Sequence, residues 1–331
     1  DSTEMYYLSA KLLSNADQLT QPRDPADEMH YFVIESGESV ASISNRLQAE
    51  GYLSSPEAFR TFLFYAGLDT ILQAGEHEVS AAMSAMQIAH ELKDPTPARV
   101  TLSILAGWRS EEIAAALPAS GLGFTPADFL RIVKHPPSDL SLPAELPAGA
   151  SLEGFLFPGN YTIERRMGAE ECISLVLVNF AAQVTPAIQQ AFAGQGLSLY
   201  EAVTLASIVE REAVLYEEMP AIASVFYNRL AAGMKLDTDP TVQYAAGYNP
   251  VQKTWWTNPL SSADLTINSP YNTYLNPGLP PGPIANPGLA ALEAVAYPAE
   301  TPYYYFRAKC DNTGRHNFAE TYQGHLDYAC P

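Results

Sequence analysis

The sequence is short of basic residues: 18 lysines and arginines stand against 37 acidic residues, which gives a formal net charge of −19. A chain this acidic repels phosphate backbones, so the composition argues against nucleic acid as a partner and against a peripheral grip on anionic lipid. No run of 18 or more apolar residues exists, so nothing in the sequence predicts a membrane span. Residues 1–27 are polar and lack the layout of a signal peptide. The length and apolar content predict a globular protein of two or three domains.

Cysteine is also scarce, with only Cys172, Cys310 and Cys330 in the chain. Since no CxxC pair exists, we expect no structural zinc site, and no metal or other cofactor. Cys310 and Cys330 lie 20 positions apart in a polar tail, which predicts a disulfide that closes a terminal loop in an oxidising compartment. Two unrelated thiols are the alternative. Cys172 lies in an apolar helical pattern, which predicts a buried free thiol.

The first half contains an internal repeat. Two stretches match without gaps at an offset of 70 residues, and eight identities run from Ile34 and Ile104 to Phe59 and Phe129. Each copy predicts a strand, a glycine turn, an amphipathic helix and a second helix that begins at a proline. In the first copy, 76–79 predicts a returning strand.

Strand–helix–helix–strand is the layout of a LysM-type glycan-binding module, and the first copy of the repeat resembles one. A small packing unit without a ligand is the alternative. We therefore expect an α+β protein in which an N-terminal LysM-like α+β repeat region precedes a mixed α+β catalytic domain. The predicted divisions are an N-terminal segment (1–27), the repeat region (28–138) and the catalytic domain (139–331), with a Pro- and Leu-rich linker at 139–147.

The most informative segment is 198–214, which predicts a helix with Ala202, Leu205 and Val209 on its core face. Glu210 lies beside that face, and a carboxylate in an apolar stripe loses solvation, which raises its pKa. A general acid that works near neutral pH requires such a shift. A salt-bridged structural glutamate is the alternative. Glu212 falls on a different face of the helix.

Rigid polar loops follow this helix, and the Pro- and Gly-rich stretch 278–288 is too stiff for a flexible linker. Tyrosine, asparagine and threonine on such loops suit a sugar cleft, because aromatic faces stack on pyranose rings while amides and hydroxyls bond their OH groups. Ordinary surface loops are the alternative. The candidate substrate-binding residues are Glu153, Asn228, Asp239, Thr241, Gln243, Tyr271, Asn272, Thr273 and Tyr274.

Segments 206–212, 225–230, 239–242, 271–274 and 278–288 resemble the endolytic transglycosylases of the MltG (YceG-like) family. So do 303–306 and 316–318 near the end and 72–76 in the repeat region, so the resemblance covers nearly the whole chain. It departs from the family at Gly159-Asn160, where Asp-Thr is usual, and at Ala106, where Glu is expected.

The resemblance implies that the protein cuts peptidoglycan glycan strands with Glu210 as its catalytic residue and without a cofactor. It implies a single N-terminal transmembrane helix, absent from this chain, and a catalytic part outside the cytoplasm. Peptidoglycan synthases are candidate partners. One carboxylate suffices for a lytic transglycosylase, because the C6 hydroxyl of the substrate replaces water as the nucleophile.

Two alternatives stay open at this stage. One is a hydrolytic muramidase in which Glu210 is the acid and Glu153 or Asp239 is the second carboxylate. The other is a non-catalytic adaptor that binds peptidoglycan through the LysM-like units.

Overall fold

A computed structural model describes residues 8, 11–95, 99–143 and 146–330. The chain is mixed α+β with small two-stranded sheets. It divides into two compact units, residues 1–99 and 100–331. Most of the predicted N-terminal segment from residue 11 onward is described, whereas Ala144 and Glu145 of the predicted linker lie outside the described residues.

The first unit has the predicted order of elements. They are α1 (Ala16–Thr20), β1 (His30–Ile34), α2 (Val40–Ala49), α3 (Pro56–Ala66), β2 (Gly75–Val79) and α4 (Ala85–Glu91). β1 and β2 are antiparallel, with His30 opposite Val79. As predicted, the second helix of this copy, α3, begins at a proline, Pro56, and Ser55 caps it by accepting a hydrogen bond from a backbone N–H.

The second copy of the repeat belongs to the second unit. Its elements are β3 (Arg99–Ile104), α5 (Ser110–Ser120) and α6 (Pro126–Lys134). β3 pairs with β4 (Gly159–Glu164), so this copy also closes as strand–helix–helix–strand after a long insertion. Gly121 ends α5 in the left-handed conformation, which glycine adopts readily because it has no Cβ atom.

The rest of the second unit is largely helical. It comprises α7 (Ala169–Gln183), α8 (Pro186–Gly194), α9 (Leu199–Glu212), α10 (Met219–Ala231), α11 (Asp239–Ala246), α12 (Leu289–Ala296), β5 (Tyr305–Ala308), β6 (His316–Ala319) and α13 (Tyr322–Asp327). α9 is the central helix: every residue from Ala202 to Val209 is buried, and it packs against α10 and α12. Ser198 caps α9, and the helix predicted at 198–214 agrees with the observed Leu199–Glu212 within two residues at each end.

The apolar and aromatic composition of residues 152–161 predicts a strand-like run, and this prediction is wrong over the first half of the run. Residues 152–157 form a buried series of turns, and the strand begins only at Gly159. The backbone N–H groups of Gly154 and Leu156 donate to the Asn286 side chain instead of to a neighbouring strand. Gly154 has a φ of +89°, which an extended strand does not accommodate. The apolar composition therefore indicated a strand where the side chain of Asn286, distant in sequence, holds a loop in place.

The cysteine prediction is confirmed. Cys310 and Cys330 form a disulfide, and Cys172 is free and buried in α7. The disulfide closes the segment that contains β6 and α13. The buried His316 donates its backbone N–H to Glu218, so the start of β6 is also tied to the start of α10.

Within the part of the chain that the structure describes, no single helix has both the length and the apolar character to cross a membrane. α7 and α8 satisfy these criteria only together, across a 68° bend.

Candidate active site

Two glutamates lie at the C-terminal end of α9 and face different surroundings. Glu210 and Glu212 are two positions apart, which separates their side chains by about 200° around the helix axis. Both carboxyl groups have a raised pKa because burial disfavours the charged form. The two carboxyl groups differ in the groups that surround them.

The Glu210 carboxylate is packed against backbone. Its Oε2 accepts a hydrogen bond from the Gly288 N–H at 3.0 Å, which together with the charge of Arg211 offsets part of the rise in its pKa. A Cβ atom added to Gly288 would lie 3.3 Å from the Ala106 Cβ and 3.4 Å from Glu210 Oε2. The contacts at this carboxylate therefore favour a chain segment without side chains.

Asn286 fixes the loop that presents Gly288. Its Oδ1 accepts from the N–H groups of Gly154 and Leu156, both at 2.9 Å, and its Nδ2 donates to Glu153 Oε1 at 3.0 Å. Its backbone N–H donates to the Trp108 carbonyl at 2.8 Å, and its carbonyl accepts from the Gly107 N–H. One buried amide thus joins three segments that are distant in sequence.

Glu153 belongs to this support. It is buried and accepts hydrogen bonds from the backbone N–H and hydroxyl of Ser110, the latter at 2.6 Å. Burial raises the pKa of its carboxyl to about 7. Since Glu153 faces Ser110 and Asn286 in the interior, its position is that of a brace between loops.

Arg211, the residue after Glu210, contacts an aromatic ring and a backbone carbonyl. Its guanidinium carbon lies 3.8 Å from the centre of the Trp256 ring, and its Nη1 donates to the Gly107 carbonyl at 3.4 Å. The Trp256 indole N–H donates to Glu112 Oε2 at 2.9 Å. This cation–π stack was not predicted from the sequence.

Glu212, by contrast, lines an open polar cavity of about 470 Å³. The lining combines three carboxylates, two guanidinium groups, a histidine and three tyrosines. These residues are Glu212, Asp237, Asp239, Arg229, Arg307, His325, Tyr274, Tyr305 and Tyr322, with Thr238, Leu236, Phe226 and Phe306 completing the wall. Tyrosine rings and charged groups around one cavity are suited to a polyhydroxylated ligand.

The electrostatics of this cavity favour a protonated Glu212. Burial and the negative charge of Asp239 raise the pKa of Glu212 to about 8, against the opposing charges of Arg229 and Arg211. Arg229 is itself held in place, since it donates to the carbonyls of Tyr304 and Leu236 at 2.6 Å each. A carboxyl group that keeps its proton at neutral pH is able to serve as a general acid.

Two predicted substrate-binding residues lie in the cavity with Glu212. The Tyr274 hydroxyl donates to Asp239 Oδ1 at 2.7 Å, and Asp239 is exposed at the first turn of α11. Among the described residues, none of the nine predicted sugar-binding residues forms a hydrogen bond with the Glu210 side chain, which bonds to Gly288. The structure therefore brings Asp239 and Tyr274 to the neighbouring glutamate.

Three other predicted substrate-binding residues, Thr241, Asn272 and Thr273, are buried. Thr241 and Thr273 share a hydroxyl–hydroxyl bond of 2.8 Å, and Asn272 donates to the carbonyls of Leu265 and Ile267. They hold the loop behind Tyr274.

The last three predicted residues lie elsewhere in the second unit. Gln243 donates to the Thr257 carbonyl, and Tyr271 packs on Tyr244 with ring centres 4.8 Å apart. Asn228 lines a separate cavity of about 560 Å³ and donates to the carbonyls of Thr301 and Tyr303.

The sequence reasoning missed Glu212, Arg229, Arg307 and His325. One signal was present: segments 303–306 and 316–318, which were part of the family resemblance, form β5 and β6 or flank them, and β5 supplies a wall of the cavity. In the described ranges, no group of three or more His, Cys, Asp or Glu residues is arranged to hold a metal ion.

Comparison with known proteins gives consistent matches. The YceG-like family matches residues 32–329. The endolytic murein transglycosylase of Bacillus subtilis is 32% identical over 304 residues, which cover 88% of this chain and 81% of that protein. A protein of the same name from Streptococcus pneumoniae is 30% identical over 301 residues, 83% of this chain but only 53% of that longer protein. A crystal structure of a YceG-like protein from Listeria monocytogenes has 31% identity and a TM-score of 0.62, and the match covers 91% of this chain and 99% of that one.

Proposed function

The chain belongs to the YceG-like family, and from that premise we propose that it is an endolytic murein transglycosylase. It would cut the MurNAc–GlcNAc bond inside peptidoglycan glycan strands without water, leave 1,6-anhydro-MurNAc ends, and so terminate strand elongation. The observation that carries the chemistry is a half-buried glutamate, Glu212, with a raised pKa in a cavity lined by tyrosines and charged groups.

The reaction requires one group that first gives and then takes a proton. The protonated carboxyl donates to the glycosidic oxygen as the bond from that oxygen to C1 of the muramyl residue breaks. The resulting carboxylate accepts the proton of the C6 hydroxyl while O6 bonds to C1. Because the nucleophile is already part of the substrate, its effective concentration is high and no second carboxylate is needed.

The sequence assigned this role to Glu210, which stays a prediction. The geometry favours Glu212, because Glu212 lines the cavity and has Asp239 and Tyr274 beside it. The Glu210 carboxylate is instead engaged by the Gly288 amide. We therefore propose Glu212 as the acid/base and Glu210 as the second candidate.

A pair of variants tests the assignment. Glu212→Gln and Glu210→Gln would be incubated with purified peptidoglycan, and the products analysed by mass spectrometry. We expect anhydro ends from the wild type, almost none from Glu212→Gln, and continued cleavage by Glu210→Gln. The reverse order of the two variants would return the role to Glu210. Reducing ends from the wild type would indicate a hydrolytic muramidase, and an inactive wild type a binding adaptor.

We also propose that the first unit binds glycan through its LysM-like strand–helix–helix–strand arrangement. A polar cavity of about 500 Å³ in this unit supports the proposal, since its lining includes Tyr52, His30, Asp27 and Arg23. Tyr52→Ala in the full chain should weaken co-sedimentation with insoluble peptidoglycan while leaving the cleavage products unchanged. Tyr31→Ala, an exposed tyrosine outside this cavity, is the matched control. Equal sedimentation of all three proteins would remove the binding role.

A substrate in the cell wall places the catalytic part outside the cytoplasm. We propose that a single upstream helix anchors it there, as the family resemblance implies, and that peptidoglycan synthases are partners.

A further inference from the structure

The Arg307 guanidinium lies in the cavity of Glu212 and has no hydrogen-bond partner among the residues that the structure describes. It projects from β5, is half-buried, and lines the cavity wall. Its Nη1 is buried, and no acceptor for it exists among the residues that the structure describes. A buried donor without an acceptor destabilises the folded state, unless a bound molecule supplies an oxygen atom as the acceptor.

Two buried arginines of this unit, Arg109 and Arg229, contrast with Arg307, whereas Arg211 also has a buried nitrogen without a partner among the described residues but stacks on Trp256. Arg109 donates to Glu111 Oε2 at 2.8 Å, and Arg229 donates to two carbonyls. The chain has twice as many acidic as basic residues, 37 against 18, so carboxylates are abundant. An unpaired, half-buried guanidinium in such a chain points to an acceptor that comes from outside.

His325, which lines the same cavity as Arg307, also has a buried nitrogen atom without a hydrogen-bond partner among the described residues. It projects from α13 into the same cavity, and its Nδ1 is buried without a partner in the described part of the chain. Burial and the charges of Arg307 and Arg229 lower the pKa of His325, which leaves the ring neutral and able to donate one hydrogen bond. Its ring lies 5.7 Å from that of Tyr305 and 6.1 Å from that of Tyr322, measured between centres, so the aromatic cluster limits its movement.

We propose that Arg307, together with His325, binds a carboxylate carried by the substrate. A carboxylate matches the planar fork of a guanidinium, which donates to it through two parallel hydrogen bonds. This inference rests on the proposed function, because it takes the occupant of the cavity to be a muramyl-containing strand. Such a strand offers carboxylates from two sources: the lactyl group of a muramyl residue without a peptide, or the peptide attached to that group.

The tail disulfide supports the arrangement. The Cys310–Cys330 bond closes the segment that contains α13, which supplies Tyr322 and His325 to the wall. β5, which carries Arg307, pairs with β6 inside the same closed segment. The disulfide thus closes the segment that supplies His325 and that pairs, through β6, with the strand that carries Arg307.

The experiment compares Arg307→Gln and Arg307→Lys with a matched control, Arg315→Gln. Arg315 lies in the same tail but pairs with Glu217 and does not line the cavity. Three substrates separate the sources: strands with peptides, amidase-stripped strands with free lactyl carboxylates, and stripped strands whose lactyl groups are neutral methylamides. We expect Arg307→Gln to raise KM about tenfold or more with kcat within about twofold, and Arg307→Lys to lie between it and the wild type.

The pattern across substrates identifies the source. A lactyl source predicts that the variant loses affinity only for stripped strands and that the methylamide is a poor substrate for the wild type. A peptide source predicts a loss only on strands with peptides. Unchanged KM for Arg307→Gln on all three substrates, or an equal loss on all three, would overturn the proposal.

Binding measured separately from cleavage keeps this inference distinct from the proposed function. Strands of each kind would be titrated into the Glu212→Gln protein with and without Arg307→Gln. If the wild type cuts nothing yet Arg307→Gln weakens binding of carboxylate-bearing strands alone, the reaction is wrong and the carboxylate site stands. If cleavage gives anhydro ends but Arg307→Gln leaves the affinity for every strand unchanged, the proposed reaction stands and the carboxylate site is wrong.

Discussion

The two faces of α9 at its C-terminal end differ in how they bury a glutamate. On one face, the Gly288 amide, Gly107 and the Arg211–Trp256 stack enclose Glu210. On the other, a cavity with tyrosine walls surrounds Glu212. Both environments raise the pKa of a carboxyl group, but Glu212 lines a cavity of about 470 Å³, whereas the Gly288 amide engages Glu210. Desolvation is therefore a necessary property of a catalytic acid and not a sufficient one.

The largest expected effect separates the two faces. Glu212→Gln should reduce cleavage about 100-fold or more, because a general acid contributes on that scale and the amide cannot donate a proton in its place. Glu210→Gln should stay within about tenfold of the wild type, because the Gln oxygen still accepts the Gly288 N–H. Both rates are measured as release of soluble fragments from purified peptidoglycan. A greater loss from Glu210→Gln would reverse the comparison.

The hydrogen bonds of Asn286, in the loop that contacts Glu210, are expected to stabilise the folded protein. Asn286→Ala leaves the N–H groups of Gly154 and Leu156 without their acceptor, which should lower the free energy of unfolding by about 3 kcal/mol. Urea unfolding followed by tryptophan fluorescence reports on this unit, since all three tryptophans lie in it. Asn276→Ala, which removes exposed hydrogen bonds, is the control and should cost less. Equal losses from the two variants would contradict the bracing role of Asn286.

The pH profile sharpens the assignment on the Glu212 face. The pKa of Glu212 is raised to about 8, so the acid is protonated and active below that pH and loses activity as pH rises through it. Asp239→Asn removes a negative charge that raises this pKa, so the alkaline limb of kcat/KM should move to lower pH. Initial rates between about pH 5 and pH 10, a range that extends to both sides of this pKa, test this. An unmoved limb would show that another group controls it.

The smallest effect concerns the wall of the cavity. Tyr274→Phe removes the hydroxyl that donates to Asp239 but keeps the ring for sugar stacking, so we expect a loss of about fivefold in kcat/KM. Tyr297→Phe, an exposed tyrosine that does not line the cavity, should have no effect on the same assay. If Tyr274→Phe matched the wild type, the hydroxyl would have no part in binding.

Much of the local structure was predictable. The helix from Leu199 to Glu212 followed from the helical spacing of its apolar residues, although the structure buries every residue from Ala202 to Val209 and not one face alone. The disulfide followed from two isolated cysteines in a polar tail. The run at 152–157 was not predictable, because its backbone hydrogen bonds go to Asn286, more than a hundred positions away.

The candidate site was predictable only in part. The sequence indicated the end of α9 and, through the family resemblance, the segments that contain Asp239 and Tyr274. It did not indicate which glutamate these residues accompany, because Glu210 looks more buried when judged by its neighbours on the helix alone. The residues that surround Glu212 come from β5, α13 and the segment 236–239.

By itself, the sequence determined the amphipathic helices, the repeated strand–helix–helix units, the acidic charge and the paired cysteines, because each depends on residues close together or on composition. Only the tertiary structure decided where a substrate has room. A cavity is a space left between elements that pack together from distant parts of the chain, and no local pattern records its volume or its lining. For that reason Arg307 is unremarkable in the sequence, and its missing partner becomes visible only once β5 and α13 stand beside the end of α9.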